Sequence, residues 1–306
     1  MSVIFLKTSR GTQDEGSNDY PQVGRNVGVW KMSKTTSSKA LVTLAVGEFY
    51  TKMGAITHPL MNAYADRCGV DFIVIQVRKV NMAYNLDERY EKFQLYDLID
   101  DYDQILFVDT DILISPRTPS LFNLVPVDRF AAVSEAKFSK ADRDIKLTQE
   151  VLGEVDWEND YFNSGMMVFG KAHKAVFDPN RDELKVWSTG EFRKKEVNLL
   201  NDQPYLNHRI NELGIALLEM GHQYNHTRVI TDTHTRFRSY MIHYAGPSGH
   251  RYGSRLEQLG KDFNVFNSRW NLRISAAFPL YRWVVDRIDW AFIGYIFKEK
   301  LAKKSA

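Results

Sequence analysis

Three short apolar runs in the first half of the chain limit the fold more than any other feature of the sequence. They are LVTLAV (residues 41–46), DFIVIQV (71–77) and QILFVDTDILI (104–114), and each is rich in β-branched or aromatic side chains. Runs of this length without polar alternation are typical of strands covered on both faces. Because helical patterns lie between them, they predict an α/β fold with a mostly parallel sheet.

Two helical patterns separate these runs. HPLMNAYADRCG (58–69) has Pro59 near its start and Gly69 as its C-terminal stop, which is the usual placing of these two residues. YEKFQLYDLIDDY (90–102) has the apolar spacing of an amphipathic helix. Later segments predict two more strands, FAAVS (130–134) and GMMVF (165–169), and a helix, QPYLNHRINELG (203–214).

The composition is that of a folded globular protein. The 306 residues are 44% hydrophobic and 25% charged, and the net charge of +2 disfavours a nucleic-acid coat protein. Cys68 is the single cysteine, so an internal disulfide and a cysteine zinc site are excluded and a reducing, cytoplasmic compartment is expected. The predicted organisation is an irregular N-terminal segment (1–39), a main domain (40–260) and a C-terminal helical extension (261–306).

The C-terminal extension contains an aromatic-rich stretch, FPLYRWVVDRIDWAFIGYIF (278–297), followed by KEKLAKK. Charged residues interrupt it, so a membrane span is not expected. An amphipathic helix of this composition suits peripheral contact with the cytoplasmic face of a membrane. Packing on the main domain, or a homodimer contact, explains the same residues equally well.

The third apolar run carries the main chemical signal. Asp109, Thr110 and Asp111 follow ILFV, which places two carboxylates at the carboxyl end of a buried strand, where open α/β sheets bind ligands. Two carboxylates so close repel each other, and a divalent cation such as Mn²⁺ or Mg²⁺ relieves the repulsion and also holds phosphates. The alternative is a pair of surface or capping aspartates.

Three more motifs follow in order: YFNSG (161–165), NDQ (201–203) and HYAG (243–246). Together with FVDTDIL, they resemble nucleotide-sugar glycosyltransferases of the glycosyltransferase-A fold. The set is most similar to the retaining glycogenin-like family 8. The resemblance covers about residues 40–250 and implies a Rossmann-like central sheet flanked by helices.

The resemblance implies a metal site and a donor site. The metal ligands would be Asp109, Asp111 and His243, with Asp109 also near the donor ribose. The positions that match donor contacts are, in chain order, Val46, Tyr50, Lys92, Asp109, Thr110, Asp111 and Gly246. Tyr50 suits a core position equally well, and Lys92 suits a solvated helix face.

The resemblance also implies a sugar-facing, catalytic set of Asn163, Asp202 and Gln203. Asp202 would lie near the anomeric carbon and stabilise oxocarbenium character. An Asp before Gln-Pro at a helix start is equally a good N-cap, and Asn163 before Gly165 suits a turn.

One position departs from the family pattern. A lysine that binds the diphosphate follows the His-x-x-Gly turn in the glycogenin-like proteins, whereas this chain has Gly249 there. His250 or Arg251 is expected to supply the missing charge on a flexible glycine turn.

The predicted function is transfer of a hexose from a nucleotide-diphosphate sugar, most simply a UDP-sugar, to a hydroxyl acceptor with retention. The acceptor would be a glycan, a lipid-linked group or a protein, with no nucleic-acid partner. The first alternative is a phosphotransferase of the haloacid dehalogenase type, although Leu113 and the position of the motif at residue 109 depart from that pattern. The second is a non-catalytic module that binds sugar nucleotides.

Overall fold

The computed structural model describes residues 29–31, 37–80, 87–135, 141–189, 201–227, 233–246 and 254–267. Its strands are β1 Val29–Lys31, β2 Lys39–Leu44, β3 Asp71–Ile75, β4 Gln104–Val108, β5 Ile112–Ile114, β6 Phe130–Ser134, β7 Phe162–Gly170, β8 Leu217–Glu219, β9 His226–Thr227 and β10 Met241–His243. Its α-helices are α1 Glu48–Cys68, α2 Leu95–Leu98, α3 Leu121–Leu124, α4 Ala141–Leu152, α5 Asp182–Thr189, α6 Asp202–Glu212 and α7 Arg255–Asn267. Short 3₁₀ helices lie at Glu88–Gln94, Ile99–Asp101, Lys171–Phe177, His222–Tyr224 and Thr233–Arg238.

The central sheet has the strand order β1-β3-β2-β4-β7-β6-β8. β2 pairs in parallel with β3 and β4, and β6 pairs in parallel with β8, whereas β1 and β7 run against their neighbours. Five of these seven strands therefore point the same way. The predicted α/β class with a mostly parallel sheet is confirmed.

Both faces of this sheet are buried, as the unbroken apolar runs predict. In β2, Ala40 and Val42 belong to one hydrophobic cluster, while Leu41 packs into the cluster on the opposite face. The alternation follows from the two-residue period of a strand. A rigid, fully covered sheet of this kind holds the residues at its strand ends in fixed positions.

The run at 104–114 is not one strand, as the sequence suggested. It breaks at Asp109–Asp111 in a turn closed by a 3.0 Å bond from the Ile112 amide to the Asp109 carbonyl. After the break, β5 joins a second sheet of order β5-β10-β9. The two carboxylates thus lie between the two sheets, outside the hydrophobic clusters on either face of the central sheet.

Two helix predictions also need correction. The helix predicted at 58–69 begins at Glu48, so Pro59 lies inside α1 and not near its start, while the stop at Gly69 is confirmed by a left-handed C-cap with φ 67°. The amphipathic helix predicted at 90–102 is a short α2 between two 3₁₀ segments. Packing of α1 against β3, β5 and α7 outweighs the single backbone hydrogen bond that Pro59 cannot make.

Among the described helices, not one combines the length and the apolar character that a membrane crossing requires. The predicted boundary at 260–261 falls within α7. Residues 268–306, including the aromatic stretch at 278–297, lie outside the described residues, as does nearly all of the predicted N-terminal segment.

Candidate active site

Asp109 and Asp111 lie at the carboxyl end of β4, and two backbone contacts fix them there. The Asp109 amide donates to the Gly165 carbonyl of β7 over 2.7 Å, and the Tyr244 amide donates to the Asp111 carbonyl over 3.0 Å. Because β5 pairs with β10 in a register that sets Ile112 opposite His243, the imidazole arrives beside the aspartates. The strand pairing therefore brings His243 to two aspartates that are distant from it in sequence.

The three side chains form one cluster. His243 Nε2 is 3.2 Å from Asp111 Oδ1 and 3.9 Å from Asp109 Oδ2, and one ligand atom from each residue lies within 4.8 Å of the others. Asp111 and His243 are buried, whereas 26% of the Asp109 side chain is exposed. The cluster is thus reached from the side of Asp109.

A relay of amides sets the tautomer of His243. The backbone amide of Gly165 can only donate, and it donates to Asn163 Oδ1 over 2.9 Å. Asn225 Nδ2 donates to the same oxygen over 2.7 Å, which turns Asn225 Oδ1 towards His243 Nδ1 at 2.8 Å. Nδ1 must then carry the proton, so a neutral His243 directs the lone pair of Nε2 towards the aspartates.

Gly165 is required by close packing against this imidazole. A Cβ at position 165 would lie 2.4 Å from His243 Cε1 and 2.8 Å from Asn163 Oδ1. Both distances are too short for real atoms. The glycine of the YFNSG motif therefore makes room for the histidine and is not merely a turn residue.

Lys92 lies in the interior of the site. Its Nζ is 2.7 Å from Asp202 Oδ2, 3.1 Å from Asp109 Oδ1 and 3.2 Å from Ser164 Oγ. Burial would lower the pKa of Lys92, but the charges of Asp109 and Asp202 outweigh it and raise this pKa. The alternative of a solvated helix lysine is wrong, because the side chain is 2% exposed.

Asp202 is not the N-cap of its helix. Asn201 caps α6, since its side chain accepts a 3.0 Å bond from the Gln203 amide. Asp202 is free of that task and instead accepts bonds from Lys92 and, over 2.8 Å, from Ser164 Oγ. The capping alternative is therefore wrong for Asp202.

Glu135 is a residue of this site that the motifs missed. Asn163 Nδ2 donates to its Oε1 over 2.7 Å and Gln203 Nε2 donates to its Oε2 over 2.9 Å. Burial raises its pKa, and the two amide bonds partly offset the effect. The signal was in the sequence, because Glu135 directly follows the strand FAAVS just as Asp109 follows ILFV. Gln203 completes this part of the site by accepting the Ser164 amide at 3.2 Å.

The electrostatics of the cluster are those of a cation site. Burial alone would raise the pKa of Asp111, but His243 and Arg255 outweigh it and lower this pKa to about 2. Burial raises the pKa of Asp109, opposed by Lys92. Burial would lower the pKa of His243, but Asp111 and Asp109 raise it. Two carboxylates and one imidazole form a donor set that suits a divalent metal of the Mn²⁺ or Mg²⁺ type.

Four of the six remaining predicted donor positions lie in described parts of the chain. Val46 is buried at the end of β2, and Gly246 follows β10 with φ 91°. Tyr50 is half-buried in α1, and burial raises its pKa. Thr110 is buried, with Oγ1 3.0 Å from His58 Nε2. His250 and Arg251 lie outside the described residues.

Comparison with known families decides the identity. The family model described as "Glycosyl transferase family 8" matches residues 74–248, which is more than half of the chain. The chain belongs to glycosyl transferase family 8. It is a glycosyltransferase, and the resemblance to this family is confirmed.

Solved structures similar to this family 8 chain are distant in sequence. A glycosyltransferase involved in the glycosylation of the major capsid of PBCV-1 is 15% identical, with 74% of this chain and 98% of that chain covered and a TM-score of 0.46. The galactosyltransferase LgtC in complex with donor and acceptor sugar analogues is 15% identical, with 76% of this chain and 99% of that chain covered and a TM-score of 0.46. The bifunctional glycosyltransferase WbbM is 13% identical, with 80% of this chain and 52% of that chain covered and a TM-score of 0.46. No curated protein matches the sequence significantly.

Family 8 membership favours transfer over the two alternatives suggested by the sequence. Neither a haloacid dehalogenase family nor a purely binding family matches the chain in these comparisons.

Proposed function

We propose that this glycosyltransferase moves a hexose from a UDP-sugar to a hydroxyl acceptor, depends on Mn²⁺ or Mg²⁺, and retains the anomeric configuration. The observation that carries the proposal is the convergence of Asp109, Asp111 and His243 next to the buried pair Lys92–Asp202. The cluster of Asp109, Asp111 and His243 suits a cation with its diphosphate, and the adjacent pair Lys92–Asp202 suits the sugar.

Asp109, Asp111 and His243 would hold the cation. When bound, the cation supplies positive charge to the diphosphate as the nucleotide leaves. The protein prepares this position in advance, because the amide relay from Gly165 through Asn225 already directs Nε2 of a neutral His243 towards the aspartates. The imidazole ring then needs little reorientation when the donor binds.

On the sugar side, Asp202 would stabilise the positive charge that develops at the anomeric carbon. Lys92 forms a buried ion pair with Asp202, and Ser164 fixes the orientation of the carboxylate. Asn163, Gln203 and Glu135 form a connected set of polar groups that suits the hydroxyls of a hexose. Asn163 acts mainly through this set, since both of its amide atoms already have protein partners.

The hydrogen bonds of Asp202 argue against a covalent intermediate on this carboxylate if the enzyme retains configuration. Asp202 shares one oxygen with both Lys92 and Ser164, which reduces its nucleophilicity. We therefore favour attack by the acceptor oxygen on the face that the nucleotide leaves. The bond from the anomeric carbon to the diphosphate oxygen breaks with its electron pair, the acceptor oxygen forms the new bond, and the acceptor proton passes to the departing diphosphate.

The nucleoside would lie beyond the end of β2, against Val46 and the half-buried Tyr50. Gly246 would allow close approach of the phosphates, with His250 or Arg251 near them. Thr110 would position the motif, because its side chain faces His58. Burial lowers the pKa of His58 to about 4, so that imidazole is neutral at pH 7.

The acceptor would be a hydroxyl of a glycan, a lipid-linked group or a protein, and the single cysteine supports a cytoplasmic setting. Peripheral membrane contact or a homodimer through 278–297 belongs to the same proposal.

A donor panel tests the proposed function. Purified protein is incubated with UDP-sugars and Mn²⁺, and release of UDP is measured with and without candidate acceptors. We expect turnover with at least one donor, loss of turnover with a chelator, and at least a hundredfold reduction for Asp111→Asn. Asp103→Asn is the matched control, since Asp103 is exposed and paired with Lys171 on the surface. Turnover that survives Asp111→Asn and chelation would contradict the proposal.

A further inference from the structure

Arg255 is the first residue of α7, and its side chain reaches into the candidate metal cluster. Arg255 Nη1 is 3.0 Å from Asp111 Oδ2, and the guanidinium lies over the Phe49 ring, 5.2 Å from its centroid. The arginine side chain is 16% exposed. A positive charge thus stands beside one oxygen of the Asp111 carboxylate, while the other oxygen faces His243 Nε2 at 3.2 Å.

Arg255 is presented by a firmly anchored helix. Asp262 of α7 is fully buried and accepts bonds from Arg236 Nε over 2.6 Å and from the Tyr244 hydroxyl over 2.7 Å. Tyr244 directly follows His243. The helix that carries Arg255 is therefore tied to the backbone that carries the histidine, which makes the approach of Arg255 to the site a property of the fold.

Arg255 also has unused hydrogen-bonding capacity. Within the described part of the chain its Nε is buried without a hydrogen-bond partner. Lys92, the other cation in contact with the aspartates, is already bonded to Asp202, Asp109 and Ser164. A guanidinium with a buried, unpaired N–H beside an anion site is suited to a second, larger anion.

We propose that Arg255 binds the diphosphate of the donor, and that without a cation its guanidinium occupies Asp111 in the cation's place. This inference rests on the proposed function. When a cation takes the Asp111 carboxylate, it weakens the ion pair with Arg255 by charge repulsion. Diphosphate oxygens held by the same cation would lie within reach of the guanidinium. Arg255 would then exchange the Asp111 carboxylate for a phosphate while its guanidinium stays over the Phe49 ring.

This exchange makes cation and nucleotide binding cooperative. A cation that binds alone weakens the ion pair between Arg255 and Asp111 and gives the guanidinium no new anion in return. A cation that binds with UDP supplies a new partner for the guanidinium. By linkage, each ligand then raises the affinity for the other by the same factor.

The test compares calorimetric binding of Mn²⁺ alone and of UDP at saturating Mn²⁺. In Arg255→Gln, the affinity for Mn²⁺ alone should rise about threefold or more, because Asp111 loses its competing cation. The affinity for UDP with Mn²⁺ should fall by about ten- to a hundredfold, the usual size for a charged hydrogen bond to an anion. Arg255→Lys should keep part of the UDP affinity, and Lys261→Gln on the same helix should leave both values unchanged, since Lys261 is half exposed.

Two outcomes would overturn the inference: UDP affinity within twofold of wild type in Arg255→Gln, or weaker binding of Mn²⁺ alone in that variant. Thermal melting without ligands verifies that each variant is folded. The variant Asp111→Asn distinguishes failure of the role of Arg255 from failure of the proposed function. Loss of Mn²⁺ binding in Asp111→Asn with normal UDP binding in Arg255→Gln overturns only the role of Arg255. Unchanged Mn²⁺ binding in Asp111→Asn overturns the proposed function itself.

Discussion

Gly165 and His243 illustrate how a motif residue acts through its neighbour. A methyl group at position 165 would lie 2.4 Å from the imidazole, so Gly165→Ala should displace His243 or break the amide relay. We expect at least a tenfold loss of Mn²⁺ affinity, the usual effect of disturbing the support of a metal ligand. Titration calorimetry measures it. Gly260→Ala is the control, because the nearest atom to its new methyl is 3.9 Å away, and it should bind Mn²⁺ like wild type.

The protonation of His243 sets the pH dependence of cation binding. Its pKa is raised in the cation-free protein because Asp111 and Asp109 outweigh the effect of burial. A cation must therefore displace a proton below that pKa, and Mn²⁺ affinity should rise about tenfold per pH unit as the pH increases towards it. Binding measured between pH 5.5 and 8 tests this rise. A flat profile for wild type would contradict it.

The raised pKa of His243 also affects the free energy of unfolding of the cation-free protein. A histidine whose folded pKa is raised stabilises the fold below its unfolded pKa of about 6.5, and this contribution is lost as the pH rises through the folded value. Asp111, whose pKa is lowered to about 2, acts in the opposite sense: its contribution is present above about 3.9 and is lost as the pH falls towards 2. Urea unfolding of the chelated protein should show His243→Gln losing the alkaline part of this dependence.

Loss of Lys92 should cost considerable stability, because it pairs with two carboxylates. Lys92→Met leaves Asp109 and Asp202 facing each other in a buried space without their shared cation. We expect the free energy of unfolding to fall by about 3–5 kcal/mol at pH 7, as for other buried pairs that lose one partner. Denaturant titration measures the change. Lys174→Met removes an exposed ion pair with Asp100 and should change stability little; an equal effect in both variants would contradict this interpretation.

At the scale of elements, the start of α6 places both Asp202 and Gln203. Asn201 holds that start, since its side chain caps the Gln203 amide. Asn201→Ala should lower the free energy of unfolding by about 1 kcal/mol and also reduce kcat, because the first turn carries the sugar-facing residues. Asn62→Ala on the exposed face of α1 is the matched control. A stability loss in Asn201→Ala with unchanged kcat would separate the cap from the site.

The elements that the sequence predicted best are those whose pattern is local. β2, β3 and β6 agree with their apolar runs, because a buried strand needs only a short unbroken run of such residues. The predicted start of α1 and the predicted single strand at 104–114 were wrong. Both depend on packing partners distant in sequence, β5 against β10 and α1 against α7, which no local period records.

At the scale of the whole molecule, the site joins residues from nearly the full described length. Asp109 and Asp111 were predicted because they follow a buried strand at the ligand-binding edge of the sheet, and His243 was predicted because the HYAG motif resembles the family 8 pattern. Asn225 and Arg255 carry no such signal. Their roles depend on which way a side chain turns and on where α7 is anchored, and both follow from contacts that form only in the folded chain.

The most direct test of the central claim is a crystal of the protein grown with UDP and Mn²⁺, with diffraction measured where manganese scatters anomalously. The account predicts one strong anomalous peak within coordination distance of the Asp109 and Asp111 carboxylates and His243 Nε2, in contact with the diphosphate. Bound UDP with the peak elsewhere, or with no peak among these three side chains, would contradict it.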